Sequence, residues 1–183
     1  MDTKRSSLLS SLLVGLLLFS VPNLGAQSKP DPRAPIITHF FAVETGLFGL
    51  PWKIYIEAED PDGDMLRIAA QVIQVGYGYY PTNWTYLKRE NGKYLKGYIQ
   101  WNTSDSMYQP EWSQLTLKVS VFDRAGHESN EVVFPFTFAM GGSGVSQAPP
   151  PFDQGNVSRL GYIHIRLFNP TMGAGNLGGG KIP

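Results

Sequence analysis

Hydrophobic and polar residues alternate with a period of two in several short segments of the chain. The clearest example is residues 114–123, where the apolar positions are Leu115, Leu117, Val119 and Val121. This period is typical of β-strands that bury one face. It recurs in residues 36–43, 53–59, 66–75, 94–101 and 132–138. Helical periodicity is absent after position 26, so the pattern predicts an all-β domain.

Turn-forming residues separate these segments. The acidic stretch 60–64 (DPDGD) joins two of them, and residues 44–51, with two glycines and a proline, predict another turn. Asn91-Gly92 is a strong signal for a two-residue hairpin, so it predicts two neighbouring strands joined there. Residues 36–140 therefore predict a two-sheet β-sandwich of about seven strands.

Proline at position 135 interrupts the last predicted strand of this sandwich. Proline has no backbone N–H to donate to a neighbouring strand, so within a sheet it is confined to edges and bulges. Pro135 therefore predicts that this strand lies at an edge or contains a bulge.

The segment 1–26 has the pattern of an export signal. Lys4 and Arg5 precede an apolar run over residues 8–19, and small residues follow up to Ala26. The run is shorter than the ~20 apolar residues that span a bilayer, and a retained signal anchor is the alternative. Signal removal would leave no membrane span, so we expect a secreted, cell-surface or periplasmic protein.

Four further segments flank the predicted sandwich. Residues 27–35 carry three prolines and predict an extended linker. Residues 141–156 are a Gly/Ser/Pro linker, 157–168 alternate like one extra β-strand, and 169–183 form a glycine-rich flexible tail. Since an isolated strand is unstable, the extra strand must pair with its own sandwich or with the edge of a neighbour.

Charge and composition exclude several classes of partner and chemistry. Lys plus Arg equals Asp plus Glu at 15 each, so no field of one sign favours nucleic acid. The chain contains no cysteine, which excludes disulfides, thiolate metal sites and cysteine nucleophiles.

Carboxylates are concentrated in the acidic turn. Asp60, Asp62 and Asp64 lie close together, and Asp123 follows a strand whose end often meets this turn in a sandwich. Closely spaced acids around a glycine-containing turn suit Ca²⁺, which prefers hard oxygen ligands. The alternative is that the aspartates only form the turn, by accepting hydrogen bonds from backbone amides.

Aromatic residues cluster between positions 77 and 86. We single out Tyr79, Tyr80, Trp84 and Tyr86, because exposed aromatic rings anchor protein interfaces and can stack on sugar rings. These residues predict a surface for a protein partner or a glycan. The alternative is that they cover the outer face and loop ends of the sandwich.

Catalysis has little support in the sequence. The three histidines lie on separate segments and lack paired ligand spacing. A hydrolase would need a pocket that joins His127 to Asp123 and Glu128. We therefore expect a non-enzymatic protein.

Two motifs resemble bacterial immunoglobulin-like and cadherin-like modules. Residues 54–64 (IYIEAEDPDGD) are similar to a second strand and its turn, and residues 117–130 (LKVSVFDRAGHESN) are similar to a penultimate strand and its turn. The resemblance covers about residues 35–140. It implies that the predicted sandwich is immunoglobulin-like. It also implies a module for adhesion, surface assembly or protein–protein interaction, which includes self-association through an edge strand. Carbohydrate binding by residues 77–86 is the alternative.

Overall fold

Ten β-strands form the framework of the part of the chain that the structure describes. The computed structural model describes residues 31–47, 49–103, 114–139, 147–153 and 157–168. The predicted signal and the glycine-rich tail lie outside these residues. The strands are β1 (Ile36–Phe41), β2 (Thr45–Leu47), β3 (Pro51–Glu59), β4 (Met65–Gln74), β5 (Gly78–Tyr79), β6 (Asn83–Tyr86), β7 (Tyr94–Asn102), β8 (Gln114–Asp123), β9 (Val132–Ala139) and β10 (Ser158–Ile163).

The strands form two sheets. Sheet 1 has the order β1-β3-β7-β10, and sheet 2 has the order β2-β9-β8-β4-β5, with β6 also paired to β4. An immunoglobulin sandwich has strands A, B, E and D in one sheet and C, F and G in the other. Strands β1, β3 and β7 take positions A, B and E, while β4, β8 and β9 take C, F and G. The predicted immunoglobulin-like sandwich is thus confirmed.

Alternate residues of the strands fill the space between the sheets, as the period of two predicted. Trp52 of β3, Trp101 of β7 and Phe136 of β9 lie at the centre, with ring centroids 6.0 Å apart for the two tryptophans and 4.1 Å for Trp52 and Phe136. The alternation in residues 66–75 predicts that Leu66 faces inward, and the structure differs at this position. A register shift between Met65 and Arg67 turns Met65 inward and leaves Leu66 only partly buried.

The predicted turn over residues 44–51 contains a short strand. After β1 in sheet 1, the chain crosses to sheet 2, where β2 pairs with β9 in parallel. Strands of two or three residues, such as β5 and β2, are too short to show a period of two. This is why the sequence predicted fewer strands than the structure has.

Asn91-Gly92 does not form the predicted hairpin. It lies between β6 in sheet 2 and β7 in sheet 1, and Gly92 has an ordinary helical conformation (φ −67°, ψ −36°). A side chain at Gly92 would place Cβ 2.6 Å from the carbonyl oxygen of Gly63. The glycine therefore serves close packing against the acidic turn, where the Met65 N–H donates to the Gly92 carbonyl at 3.0 Å.

Pro135 lies at a free edge of the sheet, which is one of the two positions predicted for it. In the described chain, β2 pairs with β9 from Thr137 to Ala139, so the part of β9 that contains Pro135 has no strand on that side. The Thr137 N–H donates to the Glu44 carbonyl on the side of β9 away from β8. Because backbone groups alternate along a strand, Pro135 faces this outer side as well. Its missing N–H therefore breaks no bond to β8 and leaves the exposed part of the β9 edge a poor template for another strand.

The free edge of β1 is closed by a side chain. The Ile37 N–H donates to Asn130 Oδ1 at 2.8 Å, and Asn130 Nδ2 donates to the Ile37 carbonyl at 3.2 Å. The asparagine amide thus replaces a neighbouring strand at this point, which blunts the edge against pairing with another chain.

The C-terminal strand pairs within its own sandwich. β10 runs parallel to β7 and occupies the position of strand D, which runs antiparallel to strand E in immunoglobulin domains. Residues 164–168 continue along the sandwich without regular structure, and Leu167 is buried. Residues 147–153, inside the predicted linker, cross the outer face of sheet 1, where Phe152 packs on Tyr55 at a centroid distance of 5.4 Å.

Candidate functional site

The acidic turn is organised by Asp60. Its carboxylate is buried and accepts the backbone N–H of Asp64 at 2.7 Å and that of Asp62 at 3.4 Å. This is the turn-forming arrangement in which an aspartate side chain holds its own loop. Both oxygens of Asp60 are therefore engaged in the fold.

Asp123 lies near this turn at the same end of the sandwich, as the sequence suggested. Both of its carboxylate oxygens also have hydrogen-bond partners within the fold. It is buried, lies opposite Met65 in the sheet and accepts the backbone N–H of His127 at 2.7 Å. The His127 ring nitrogen Nδ1 lies 2.6 Å from the other carboxylate oxygen. The other ring nitrogen, Nε2, lies 3.6 Å from Asp31. Hydrogen bonds from Arg33 lower the pKa of Asp31 to about 2, so Asp31 stays anionic there.

Asp64 is the carboxylate that the fold leaves poorly satisfied. Its Oδ1 atom is buried and has no hydrogen-bond partner. Burial, reinforced by the charges of Asp123 and Asp60, raises the pKa of Asp64 above its ordinary value of 3.8. Among the residues that the structure describes, no three histidine or carboxylate side chains are placed to hold a metal ion. Calcium binding by Asp60, Asp62, Asp64 and Asp123 stays a prediction.

Asp64→Asn is expected to raise the melting temperature at pH 7 by a few degrees. A raised folded-state pKa means that the folded chain binds more protons than the unfolded chain, so the contribution of Asp64 to stability falls as pH rises above 3.8. The asparagine removes this charge at every pH. The difference between variant and wild type should therefore vanish in thermal melts below pH 3.8. A variant that is less stable at pH 7 would contradict this account.

The calcium hypothesis predicts a different shift in the same melts. Ca²⁺ that binds the folded state raises the melting temperature by mass action. Asp62→Asn is the informative variant, because the Asp62 side chain is exposed and its loss should spare the fold. If Asp62 is a ligand, added Ca²⁺ should not raise the melting temperature of the Asp62→Asn variant. An unchanged wild-type melting temperature at millimolar Ca²⁺ would end the hypothesis.

The three residues considered for hydrolysis do not share a pocket. Glu128 accepts a hydrogen bond from Ser120 Oγ at 2.7 Å on the outer face of sheet 2, while His127 is held by Asp123 at the loop end. The two best-defined clefts of the described chain measure about 240 and 170 Å³, and neither is lined by these residues. Both are smaller than ordinary ligand pockets of roughly 300–1,000 Å³.

Three exposed aromatic side chains lie along one margin of sheet 2. Trp84 and Tyr86 of β6 pair with Ala69 and Arg67 of β4, and Tyr79 of β5 pairs with Ile73 further along the same strand. We call Tyr79, Trp84 and Tyr86 the aromatic row; their exposed fractions are 69%, 38% and 66%. With a rise of about 3.3 Å per residue, the row spans roughly 20 Å along β4.

Arg67 and Phe122 extend this surface, and neither was predicted from the sequence. The Arg67 guanidinium lies 4.0 Å from the ring centroid of Trp84, and the rings of Trp84 and Phe122 meet edge to face at 5.4 Å. Arg67 and Phe122 are direct neighbours across β4 and β8, although they are far apart in the chain. Only the strand register brings them together. The signal available in the sequence was their outward position in strands whose alternate residues are apolar.

Tyr80 is not part of this surface, contrary to the prediction. It is 7% exposed, and its hydroxyl bonds to the Gln74 side chain and accepts the Phe168 N–H at 2.6 Å. Burial raises the pKa of its phenol. β5 and β6 both run antiparallel to β4, and the Tyr80 N–H donates to the Val72 carbonyl between them. Successive residues of such an extended segment point to opposite faces, so Tyr80 points inward where Tyr79 points outward.

The outer faces of the two sheets differ in how they are covered. On sheet 1, residues 147–153 bury Ala148 and Phe152 against the strands, and Tyr55 and Tyr98 lie beneath them. On sheet 2, no segment of the described chain crosses the face that carries the aromatic row. Among the residues that the structure describes, the outer face of sheet 2 is therefore the one left uncovered by another segment.

None of the described residues belongs to a helix with the length and hydropathy needed to span a bilayer. No family profile and no curated protein match the chain.

Two solved structures are similar to this chain. The PKD domain of an M14-like peptidase from Thermoplasmatales archaeon SCGC AB-540-F20 aligns with a TM-score of 0.34 and 13% identity, over 58% of this chain and 94% of that chain. The CARDB domain of a Pyrococcus furiosus protein, solved with di-metal ions, aligns with a TM-score of 0.33 and 8% identity, over 66% and 100%. Since both scores are low, the fold assignment rests on this chain's own strand order. By that order, the described chain is an immunoglobulin-like β-sandwich.

Proposed function

We propose that this protein is an exported, non-enzymatic binding module that recognises a protein partner through the outer face of sheet 2, in adhesion or surface assembly. The observation that carries the proposal is the exposed aromatic row beside Arg67 on the one uncovered sheet face of the described chain. Trp, Tyr and Arg are the residues that most often dominate the energy of protein interfaces. Export rests on the signal pattern of the segment 1–26, which lies outside the described residues.

The geometry of this face favours a flat macromolecular partner. The surface lies on a strand framework, so its rings are held at fixed spacing by the register of β4, β5 and β6. Arg67 is packed between Trp84 and Phe122, with ring centroids 4.0 and 5.7 Å from its guanidinium. A side chain already ordered in the free protein loses little conformational freedom on binding. Such a preorganised patch suits an interface anchor.

Tyr86→Ala is expected to abolish partner capture, and Tyr94→Ala is its matched control. Both tyrosines are 66% exposed, but Tyr94 lies in β7 of sheet 1. Removing an interface anchor costs about 2 kcal/mol or more, a loss of at least roughly 30-fold in affinity. The measurement is capture from cell-envelope extracts by immobilised wild type and the two variants, followed by titration of the captured protein. Equal capture by all three proteins would refute the assignment.

Carbohydrate binding is the second candidate, because the aromatic row is linear. Trp84 and Tyr86 are two residues apart on one strand face, or about 7 Å, and Tyr79 lies roughly 13 Å further along β4. An extended glycan lying along β4 would meet all three rings. A glycan array probed with wild type and Trp84→Ala separates the candidates, since a blank array with retained protein capture leaves only the protein partner.

A further inference from the structure

The C-terminal segment occupies a site that the rest of the sandwich leaves open. The residues between β4 and β7, where an immunoglobulin chain supplies strand D, instead form β5 and β6 of sheet 2. Among the described strands, β10 alone completes the edge of β7, and it follows the connecting segment 140–157. We call this site the strand seat: the edge of β7 together with Gln74, Tyr80, Thr85 and Trp101.

The strand seat holds the main chain of its occupant as well as its side chains. Trp101 Nε1 donates to the Ile165 carbonyl at 3.0 Å. Gln74 Nε2 donates to the Phe168 carbonyl at 2.9 Å, and the Phe168 N–H reaches the Tyr80 hydroxyl at 2.6 Å. These contacts continue along the extended segment beyond the end of β10. They depend on the bound segment and not on the path by which it arrives.

Close packing makes the strand seat specific for this segment. A Cβ at Gly97 of β7 would lie 2.6 Å from the Ser158 carbonyl oxygen, and a Cβ at Gly161 of β10 would overlap the Thr85 side chain. Ile163 and Leu167 are buried at 3% and 9% exposure. The seat and the segment therefore fit each other along the whole of residues 158–168.

We propose that this segment also occupies the strand seat of a second copy of the chain, so that the protein associates by strand exchange. Every contact described above is reproduced when the segment comes from another copy, because exchange swaps identical elements. Residues 147–153 would move together with the strand, because Phe152 packs on Tyr55 of the same sheet. The remaining connection, residues 140–146, could reach about 24 Å when fully extended, more than twice the ~10 Å separation of packed sheets. The tether therefore permits delivery to a neighbour.

The sheet edges favour exchange over simple edge-to-edge pairing. Asn130 closes the β1 edge at Ile37, and Pro135 interrupts the exposed edge of β9. The face of β10 that looks into the sandwich packs on β6, where Gly161 meets Thr85. The asparagine and the proline disfavour strand addition at the edges of β1 and β9, but they do not affect an exchange that refills the strand seat. The inference is independent of the aromatic row.

Single cysteines introduced into the cysteine-free full chain test the exchange. Gln100 and Tyr162 are direct partners in the β7–β10 pairing, and both are partly exposed. Gln100→Cys and Tyr162→Cys chains are mixed, warmed towards the unfolding midpoint, cooled and oxidised. A disulfide-linked heterodimer forms only when β10 of one chain lies on β7 of the other. Its yield should rise about tenfold when the chain concentration rises from about 10 to about 100 μM, because exchange competes with an intramolecular tether.

Two controls make the result decisive. Tyr162→Cys mixed with Lys118→Cys, which lies on the outer face of sheet 2, should give only background cross-linking. A chain carrying both Gln100→Cys and Tyr162→Cys should close its disulfide within one chain, which verifies the geometry. If the double variant closes but the mixed single variants do not exceed the Lys118 background at any concentration, strand exchange is refuted.

Discussion

A chain that ends at residue 156 is expected to lose about 5 kcal/mol or more of its folding stability. Ile163 and Leu167 are buried against the sandwich, and burial of such side chains contributes roughly 1.5–3 kcal/mol each. Truncation also leaves the buried Trp101 N–H without its Ile165 acceptor, at a cost of about 1–3 kcal/mol. Domains of this kind have a total stability of roughly 5–15 kcal/mol. The truncated chain should therefore be largely unfolded or melt far below the full chain.

The matched control is a chain that ends at residue 169, which retains Phe168 with both of its backbone hydrogen bonds to the strand seat. Urea unfolding followed by tryptophan fluorescence measures both chains, with the midpoint reporting stability and the slope reporting the surface exposed. We expect the control to match the full chain. A chain ending at 156 with an unchanged midpoint would show that β10 contributes nothing to the fold.

Trp101→Ala is expected to cost about 3–5 kcal/mol, the usual range for removing a large buried aromatic side chain. Trp101 is fully buried and packs against Trp52 at a centroid distance of 6.0 Å. Trp101→Phe separates the two roles of the residue. It keeps most of the ring volume but loses the hydrogen bond to Ile165, so it should cost about 1–2 kcal/mol.

Trp84→Ala is the control on the surface. Trp84 is 38% exposed and its ring contacts Arg67 and Phe122, so its loss should cost less than about 1 kcal/mol. The same chemical denaturation measures all three variants. A Trp101→Ala chain that is as stable as Trp84→Ala would contradict the central position of Trp101 in the core.

Among the described residues, two buried tryptophans and one surface tryptophan have different roles. Trp52 and Trp101 face inward on neighbouring strands of sheet 1, and their indole N–H groups donate to the carbonyls of Val43 and Ile165. Both acceptors lie in segments without strand partners of their own. The core tryptophans therefore hold the chain crossing after β1 and the extended C-terminal segment in place. Trp84 has no such role and is available for a partner.

Asp60 and Asp123 show a similar division in the acidic loop end. Each is buried and accepts backbone N–H groups of its own turn, at 2.7 Å from Asp64 and from His127 respectively. These carboxylates are needed to form the turns whether or not a cation binds. The side chains of Asp62 and Asp64 do not hold these turns. Replacing either one with asparagine therefore tests the effect of its charge without breaking a turn-forming hydrogen bond.

The sequence alone determined the two-sheet architecture, because burial of one strand face forces an alternation that can be read directly from residues such as Ile54, Ile56 and Ala58. It also placed the acidic turn, limited Pro135 to an edge or a bulge, and required the C-terminal segment to pair with a strand. These features are local: each depends on residues within a few positions of one another.

Only the tertiary structure decided which segments meet. The role of Gly92 depends on the approach of Gly63 from another turn, which no pattern around Asn91-Gly92 could reveal. The burial of Tyr80 depends on Gln74 and on the distant Phe168, and the pairing of Arg67 with Phe122 depends on the register of β4 and β8. Strand pairing brings together groups that are distant in the chain, whereas periodicity reports only which face of a strand is buried. The same limit explains why the position of β10, in parallel beside β7, was settled by the fold and not by its alternating residues.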